Sequence, residues 1–175
     1  MTDGLPLAEG HPVHRGAVQV VEHVHAQNGQ QLFGFVRRLG LDDDESSEVT
    51  QEALLRLWRI CAAGEPPSRP AAWTFRTAYH LAMDRHRLRR RWEGFLARQT
   101  SGRTHAVDRR DELLAIWSEV DRLPARQRQV LYLRYRADLS FEDIASILGI
   151  DASSARGSAS RGMATLRDRL TVEDE

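Results

Sequence analysis

The stretch SFEDIASILGIDASSARGSASRG, residues 140–162, decides the fold. Ser140 followed by Asp143 is a near capping box, with Asp in place of the usual Glu or Gln, and it opens a short helix to Leu148. Ile144, Ala145 and Leu148 give that helix one apolar face. Gly149 supplies a residue able to take positive φ, and Asp151 can cap a second helix running to about Leu170. Two helices joined by a glycine turn, with the small Ala145 where they cross, are the pattern of a helix-turn-helix. Ala155, Ala159, Met163, Leu166 and Leu170 are expected to line the inner side of the second helix. Ser153, Arg156, Gly157, Ser160 and Arg161 then form an outer face whose small and cationic groups suit phosphates and base edges.

Working outward, Glu112–Asp121 reads as a helix through Leu113, Ile116, Trp117 and Val120. Another starts at Leu123 and Pro124 and buries Val130, Leu131, Leu133 and Tyr135. Upstream, residues 99–108 are polar, small and aperiodic, which places a linker there. Before the linker, Leu32, Val36 and Leu39 repeat at helical spacing and Gly40 ends the run. Asp42 to Glu45 stand at the start of a second helix, capped by Ser46 or Ser47, with Val49, Ala53, Leu57 and Ile60 as its buried stripe. Gly64, Pro66, Pro67 and Pro70 break regular structure. A third helix resumes near Ala71 or Ala72 and continues through Ala78, Leu81, Leu88 and Trp92. The expected architecture is all-α: two small helical domains joined by a flexible linker, the C-terminal one a helix-turn-helix.

The chain has 175 residues, one cysteine (Cys61) and no run of about 18 apolar residues, so neither a disulfide framework nor a membrane-spanning helix is expected. A cytoplasmic protein follows from that reading. Net charge is zero but segregated: residues 84–110 hold nine Arg against three acidic residues, while the segments on either side are mildly acidic. All 25 basic residues are Arg, each a planar fork suited to phosphate. His11, His14, His23 and His25 lie in an N-terminal segment, residues 1–27, which reads as a flexible tail with at most a turn or two of helix over Ala17 to Val24. Without cysteine or a carboxylate cluster nearby they make no metal site. No P-loop, dinucleotide fingerprint, HExxH or paired nucleophile is present, so no catalytic residue and no cofactor is assigned.

Two faces remain. Arg76, His80, Asp84, Arg87 and Arg91 share one stripe of the third helix, and five arginines between Arg85 and Arg91 repel one another unless an anion lies against them. Nucleic-acid backbone is the favoured anion. The rings of Trp73, Phe75 and Tyr79 offer stacking surfaces, although each taken singly reads as core. On the second helix, Glu48, Gln51, Glu52, Arg56 and Arg59 share an exposed side, with Glu52 and Arg56 in the favourable i, i+4 order.

Read together, residues 30–171 resemble the extracytoplasmic-function group of bacterial sigma-70 transcription initiation factors. SEVTQEALLRLW resembles region 2.2 of that family, and AWTFRTAYHLAMDRHRLRRR resembles regions 2.3 to 2.4. The most specific match is LPARQRQVLYLRYRADLSFEDIASILGIDASSARGSASRGMATLRDRL, which resembles region 4. The resemblance implies a region 2 domain at 28–97, a linker at 98–110, a region 4 domain at 111–171 and an acidic tail at 172–175. It implies docking on the β′ clamp helices of core RNA polymerase through Glu48, Gln51, Glu52 and Arg56, with the β flap as a further polymerase contact. The minus-10 promoter element would fall to Arg69, Arg76, His80, Asp84, Arg85 and Arg87. The minus-35 element would fall to Ser153, Ser154, Arg156, Ser158 and Arg161. It also implies an anti-sigma factor as a possible regulator.

The chain departs from the family in places. His80 stands where Asn is common, EPPSRP replaces the usual loop before the third helix, and Ser158 and Met163 occupy positions often basic. Gly157 and Gly162 each cost the recognition helix about 1 kcal/mol relative to Ala, so weak independent minus-35 binding is expected. Ten linker residues span about 16 to 19 Å, which leads to a free chain with separated modules. The competing reading is a stand-alone helix-turn-helix regulator that binds duplex without polymerase.

Overall fold

The computed structural model describes residues 12–96 and 112–172, which form seven helices and no strand. The linker assigned to 98–110 and the acidic residues 173–175 lie outside the described residues. The first helix, α1, spans Pro12–Arg38. Residues 12–27 are therefore helical, a correction to the expected tail. Ala17 and Val24 are buried against Leu57 and Cys61, with Val20 and Val21 packed beside them. Gly16 and the flanking histidines obscure this stripe in the sequence, and burial against the next helix offsets their poor propensity.

Gly40, at φ 95°, ends α1 as expected, with its N–H donating to the Arg37 carbonyl. Helix α2 spans Asp43–Ala62, and its cap is Asp42 rather than Ser46 or Ser47. The Asp42 carboxylate accepts from the Glu45 N–H at 2.8 Å and Glu45 accepts from the Asp42 N–H at 3.3 Å, a reciprocal capping box. Ser46 is buried instead, and its carbonyl accepts from the Thr50 hydroxyl. Helix α3 spans Pro70–Leu96, with proline at the first position, where its missing N–H is harmless. Phe75, Ala78 and Ala82 face the core, whereas Leu88, expected inside, is exposed.

In the C-terminal half, α4 spans Glu112–Asp121, α5 Ala125–Tyr135, α6 Phe141–Leu148 and α7 Ala152–Val172. Ser140 caps α6 as expected, and Gly149 closes it at φ 65°. The buried side of α5 is Val130, Leu131, Tyr132 and Leu133, while Tyr135 is exposed. The inner stripe of α7 runs through Ala155, Ser158, Ala159, Gly162 and Leu166; Met163 and Leu170 lie on its exposed side.

The two groups of helices are packed together rather than separated, and one core cluster joins Phe35, Phe75 and Ala78 to Tyr132, Leu133 and Ile147. The Tyr132 ring lies 6.2 Å from the Phe35 ring and 5.5 Å from Trp117, and its hydroxyl donates to the Gln31 carbonyl. Arg38 forks onto Asp121 at 2.8 and 3.2 Å, with its guanidinium 4.6 Å from the centre of the Tyr132 ring. Gly34 makes this approach possible: a Cβ there would overlap the Tyr132 hydroxyl.

Two predictions follow from these close approaches. A Cβ at Gly162 would stand 2.9 Å from Cδ1 of the buried Leu131 and 3.4 Å from Cβ of Gln127, whereas at Gly157 its nearest neighbour is the mobile guanidinium of Arg161 at 3.4 Å. Gly162→Ala should therefore destabilise the C-terminal helices by about 1–2 kcal/mol in chemical denaturation, and Gly157→Ala should stabilise them by up to about 1 kcal/mol. Burial raises the phenol pKa of Tyr132, more than nearby Arg38 lowers it. A raised folded value means that this contribution to docking is complete below about pH 10, the ordinary tyrosine value, and is lost as pH rises through the raised one. Small-angle scattering should show the chain expanding in that alkaline window, with the step absent in Tyr132→Phe.

Candidate nucleic-acid interface

Helix α3 presents the expected stripe to the surface: Arg76, His80, Asp84, Arg87 and Arg91 are all exposed. The three rings divide as core reasoning predicts. Phe75 is fully buried, Tyr79 stacks at 6.5 Å on Phe35, and Trp73 is half-buried against the second apolar cluster. The crowded arginines are better compensated than their spacing suggests. Arg85 reaches Glu48 at 2.9 Å, Arg87 reaches Asp84 at 2.9 Å, and Arg89 reaches Glu45 at 2.6 Å. These carboxylates come from α2 and from the preceding turn of α3, so mutual repulsion alone does not demand an external anion.

The loop and first turns of α3 meet α6. Arg69 donates to both carboxylate oxygens of Asp143 at 2.9 Å and to the Ser140 hydroxyl at 3.3 Å, and Arg76 donates to the Ser146 hydroxyl at 3.3 Å. His80, Asp84, Arg85 and Arg87 lie further along the helix. Of the six candidate minus-10 residues, Arg76, His80, Asp84 and Arg87 thus share one exposed stripe with Arg69 at its N-terminal end against the C-terminal half of the chain, whereas Arg85 turns away from that stripe towards Glu48 of α2.

On α2, Glu48, Gln51 and Arg56 are exposed and Glu52 is half-buried, with Leu55 exposed among them. Glu52 accepts from Arg56 at 2.7 Å and lies 3.7 Å from Arg59. The Arg56 hydrogen bond, despite some desolvation, holds the Glu52 carboxyl below its usual range. Leu55 adds an exposed apolar group that the charge pattern did not single out.

The recognition helix α7 divides its expected readers. Asp151 accepts from the hydroxyls of Ser153 at 2.5 Å and Ser154 at 2.7 Å and from the Ser154 N–H at 2.7 Å, bonds that hold its carboxyl far below the usual range. Both serines are exposed at the start of the helix, but their hydroxyl protons are taken by an acidic neighbour. Arg156 is exposed and reaches Glu142 of α6 at 2.5 Å, its guanidinium 5.5 Å from the Phe141 ring. Ser158 is buried, so it does not belong to the outer face; position 158 falls on the side that packs into the three-helix core. Arg161 is exposed and bonds to the Ser158 hydroxyl at 3.4 Å. Among the described residues no cluster of three metal-ligating side chains occurs, and no helix is long and apolar enough to cross a membrane.

Known proteins divide the chain in the same way. The family model for sigma-70 region 2 matches residues 24–92, and the model for sigma-70 region 4 matches residues 113–166. The ECF RNA polymerase sigma factor SigD of Mycobacterium tuberculosis is 30% identical over 172 residues, covering 90% of this chain and 77% of SigD. The chain belongs to the ECF sigma factors. RNA polymerase sigma factor CnrH of Cupriavidus metallidurans is 24% identical over 164 residues, covering 86% of each chain. Sigma factor RpoE of Bartonella quintana, solved with the anti-sigma factor NepR, shares the fold at a TM-score of 0.66 and 20% identity, covering 90% of this chain and 96% of RpoE. CnrH, solved with the cytosolic domain of CnrY, gives a TM-score of 0.57 at 22% identity, covering 91% and 97%.

This sigma factor accordingly acts in promoter-specific initiation of transcription, binding core RNA polymerase and promoter DNA, with a helix-turn-helix in region 4. The Asp151 carboxylate stands at the end of the recognition helix that carries the first serines, where it opposes phosphate. Asp151→Asn should keep the cap, because Asn caps helices as well. It should tighten binding of a mixed-sequence duplex by about two- to fivefold at 0.1 M salt, measured by fluorescence anisotropy. An unchanged affinity would place this helix end away from the phosphates.

Proposed function

We propose that the α2 face of Glu48, Gln51, Glu52 and Arg56 docks on the β′ clamp helices of core RNA polymerase, and that the β flap supplies a further contact. The exposed stripe of α3, with Arg69 before it, captures and opens the minus-10 element through Arg69, Arg76, His80, Asp84, Arg85 and Arg87. Helix α7 reads the minus-35 duplex through Ser153, Ser154, Arg156 and Arg161. Ser158 supports the helix from within. Region 2 spans about 28–97 in this reading and region 4 about 111–171, with the linker at 98–110.

The observation that carries the reading is the direct link between the two region 2 helices. Glu48 of the α2 face and Arg85 of α3 form an ion pair at 2.9 Å, so the helix offered to polymerase is tied directly to the helix that carries the promoter stripe. Unstacking bases during opening costs a few kcal/mol, which the basic end of α3 offsets through phosphate contacts. The factor catalyses nothing itself; polymerase performs the chemistry, in the cytoplasm. An anti-sigma factor is the regulator suggested by the solved complexes of RpoE and CnrH.

Run-off transcription with bacterial core polymerase on promoter-enriched genomic fragments tests this directly. Discrete start sites should require the factor, and Glu52→Ala/Arg56→Ala should lower initiation by about tenfold or more, equivalent to at least about 1.4 kcal/mol of lost docking. Tight duplex binding by the factor alone, without core-dependent initiation, would make it a stand-alone regulator.

A further inference from the structure

We infer that region 4 is an internal competitor of promoter DNA for region 2: α6 covers the N-terminal end of the α3 face, and the Gly34–Tyr132 junction holds it there. The inference rests on the proposed reading of α3 as the minus-10 face and goes beyond it, because closure needs no second protein. Two of the six minus-10 residues turn their Nη1 to α6. Arg69 is bound by both oxygens of Asp143 and by Ser140, and Arg76 by Ser146. The Asp143 carboxylate, accepting from Nη1 of Arg69 with both oxygens, occupies the position and charge that a DNA phosphate would take. DNA and α6 therefore exclude one another on this part of α3.

The hold comes from elsewhere. Arg69 is largely exposed, and an exposed ion pair contributes little. The apolar and cation–π contacts of Tyr132 with Phe35, Trp117 and Arg38, and the Arg38–Asp121 fork, join α1 to α4 and α5 out of water. Gly34 is the thinnest point of that junction, and it lies away from every residue assigned to polymerase or DNA. Its Cβ would strike the hydroxyl of a ring pinned on several sides, and with the hydroxyl removed the nearest ring atom would be the Tyr132 Cζ at an ordinary 3.4 Å.

The full chain should be compared as native protein, as Gly34→Ala and as Gly34→Ala/Tyr132→Phe, by small-angle scattering and by anisotropy of a labelled, mixed-sequence single-stranded DNA of about 12 nucleotides. A compact chain of this length has a radius of gyration of about 16 Å before its tails are added. Gly34→Ala should increase the measured radius by several Å and tighten DNA binding by about fivefold or more as the arginines are released. The double variant should reverse both changes. Arg38→Ala, which removes the fork onto Asp121 and the cation–π contact on Tyr132 without adding positive charge, should open the chain in the same way and guards against a folding defect in Gly34→Ala. Equal radii for the native chain and both opening variants would overturn the proposal. So would expansion without tighter binding, provided that Arg76→Ala in the opened chain still weakens DNA binding; the α3 reading would then survive alone. If Arg69→Ala and Arg76→Ala leave DNA binding unchanged in the opened chain, the minus-10 reading itself fails and the competition falls with it.

Discussion

The distance between α1 and α5 at Gly34 sets the relation of the two halves. With no side chain on α1 at that point, Tyr132 enters far enough to bond the Gln31 carbonyl, stack near Phe35 and lie under Arg38. Aromatic pairs of this kind contribute about 0.5–1.5 kcal/mol each, and a desolvated cation–π contact up to about 2 kcal/mol. The exposed contact of Arg69 with Asp143 adds about 0–1 kcal/mol. The junction thus supplies the attraction between the halves, and the polar contacts of α3 with α6 supply the orientation.

The recognition helix shows how one residue type takes opposite roles. Gly162 is a packing requirement that lets α7 close on Leu131, while Gly157 faces only the end of Arg161. Intrinsic propensity does not distinguish the two glycines, because it describes the isolated helix and not what crosses it. The same helix keeps its polar groups occupied: Asp151 holds two serine hydroxyls, and Glu142 holds Arg156. The expectation of weak independent duplex binding rests better on these internal partners than on glycine content.

Much of the architecture was legible in the sequence. Ser140, Gly149 and Gly40 mark helix ends by local chemistry, and the structure uses each as expected, while Pro70, read as part of the break, opens α3 itself. The exposed stripe of α3 was legible for the same reason, since helical spacing sorts residues onto faces. What could not be read depends on contacts distant in sequence. Tyr132 and Tyr135 are both plausible core residues on α5, and only the arrival of α1 decides for Tyr132. Residues 12–27 are a poor helix until α2 covers Ala17 and Val24. Ser158 reads as an outer serine until α7 is rotated by the fit of Gly162, and the carboxylates that pair with Arg85 and Arg89 lie on another helix.

The hydrogen bond from Tyr132 to Gln31 joins residues 101 positions apart. A bacterial ribosome adds about 5–20 residues per second, so the first three helices, complete at Leu96, wait roughly 2–7 s for Tyr132. During synthesis the face of α3 is bare, with Phe35 beside it lacking the Tyr132 ring. Each newly made molecule therefore passes through a brief state in which its first half has folded and nothing of its own yet shields it. In that interval nascent chains on neighbouring ribosomes are exposed to association through this face, and whatever first meets the face does so without competition from the chain's own second half.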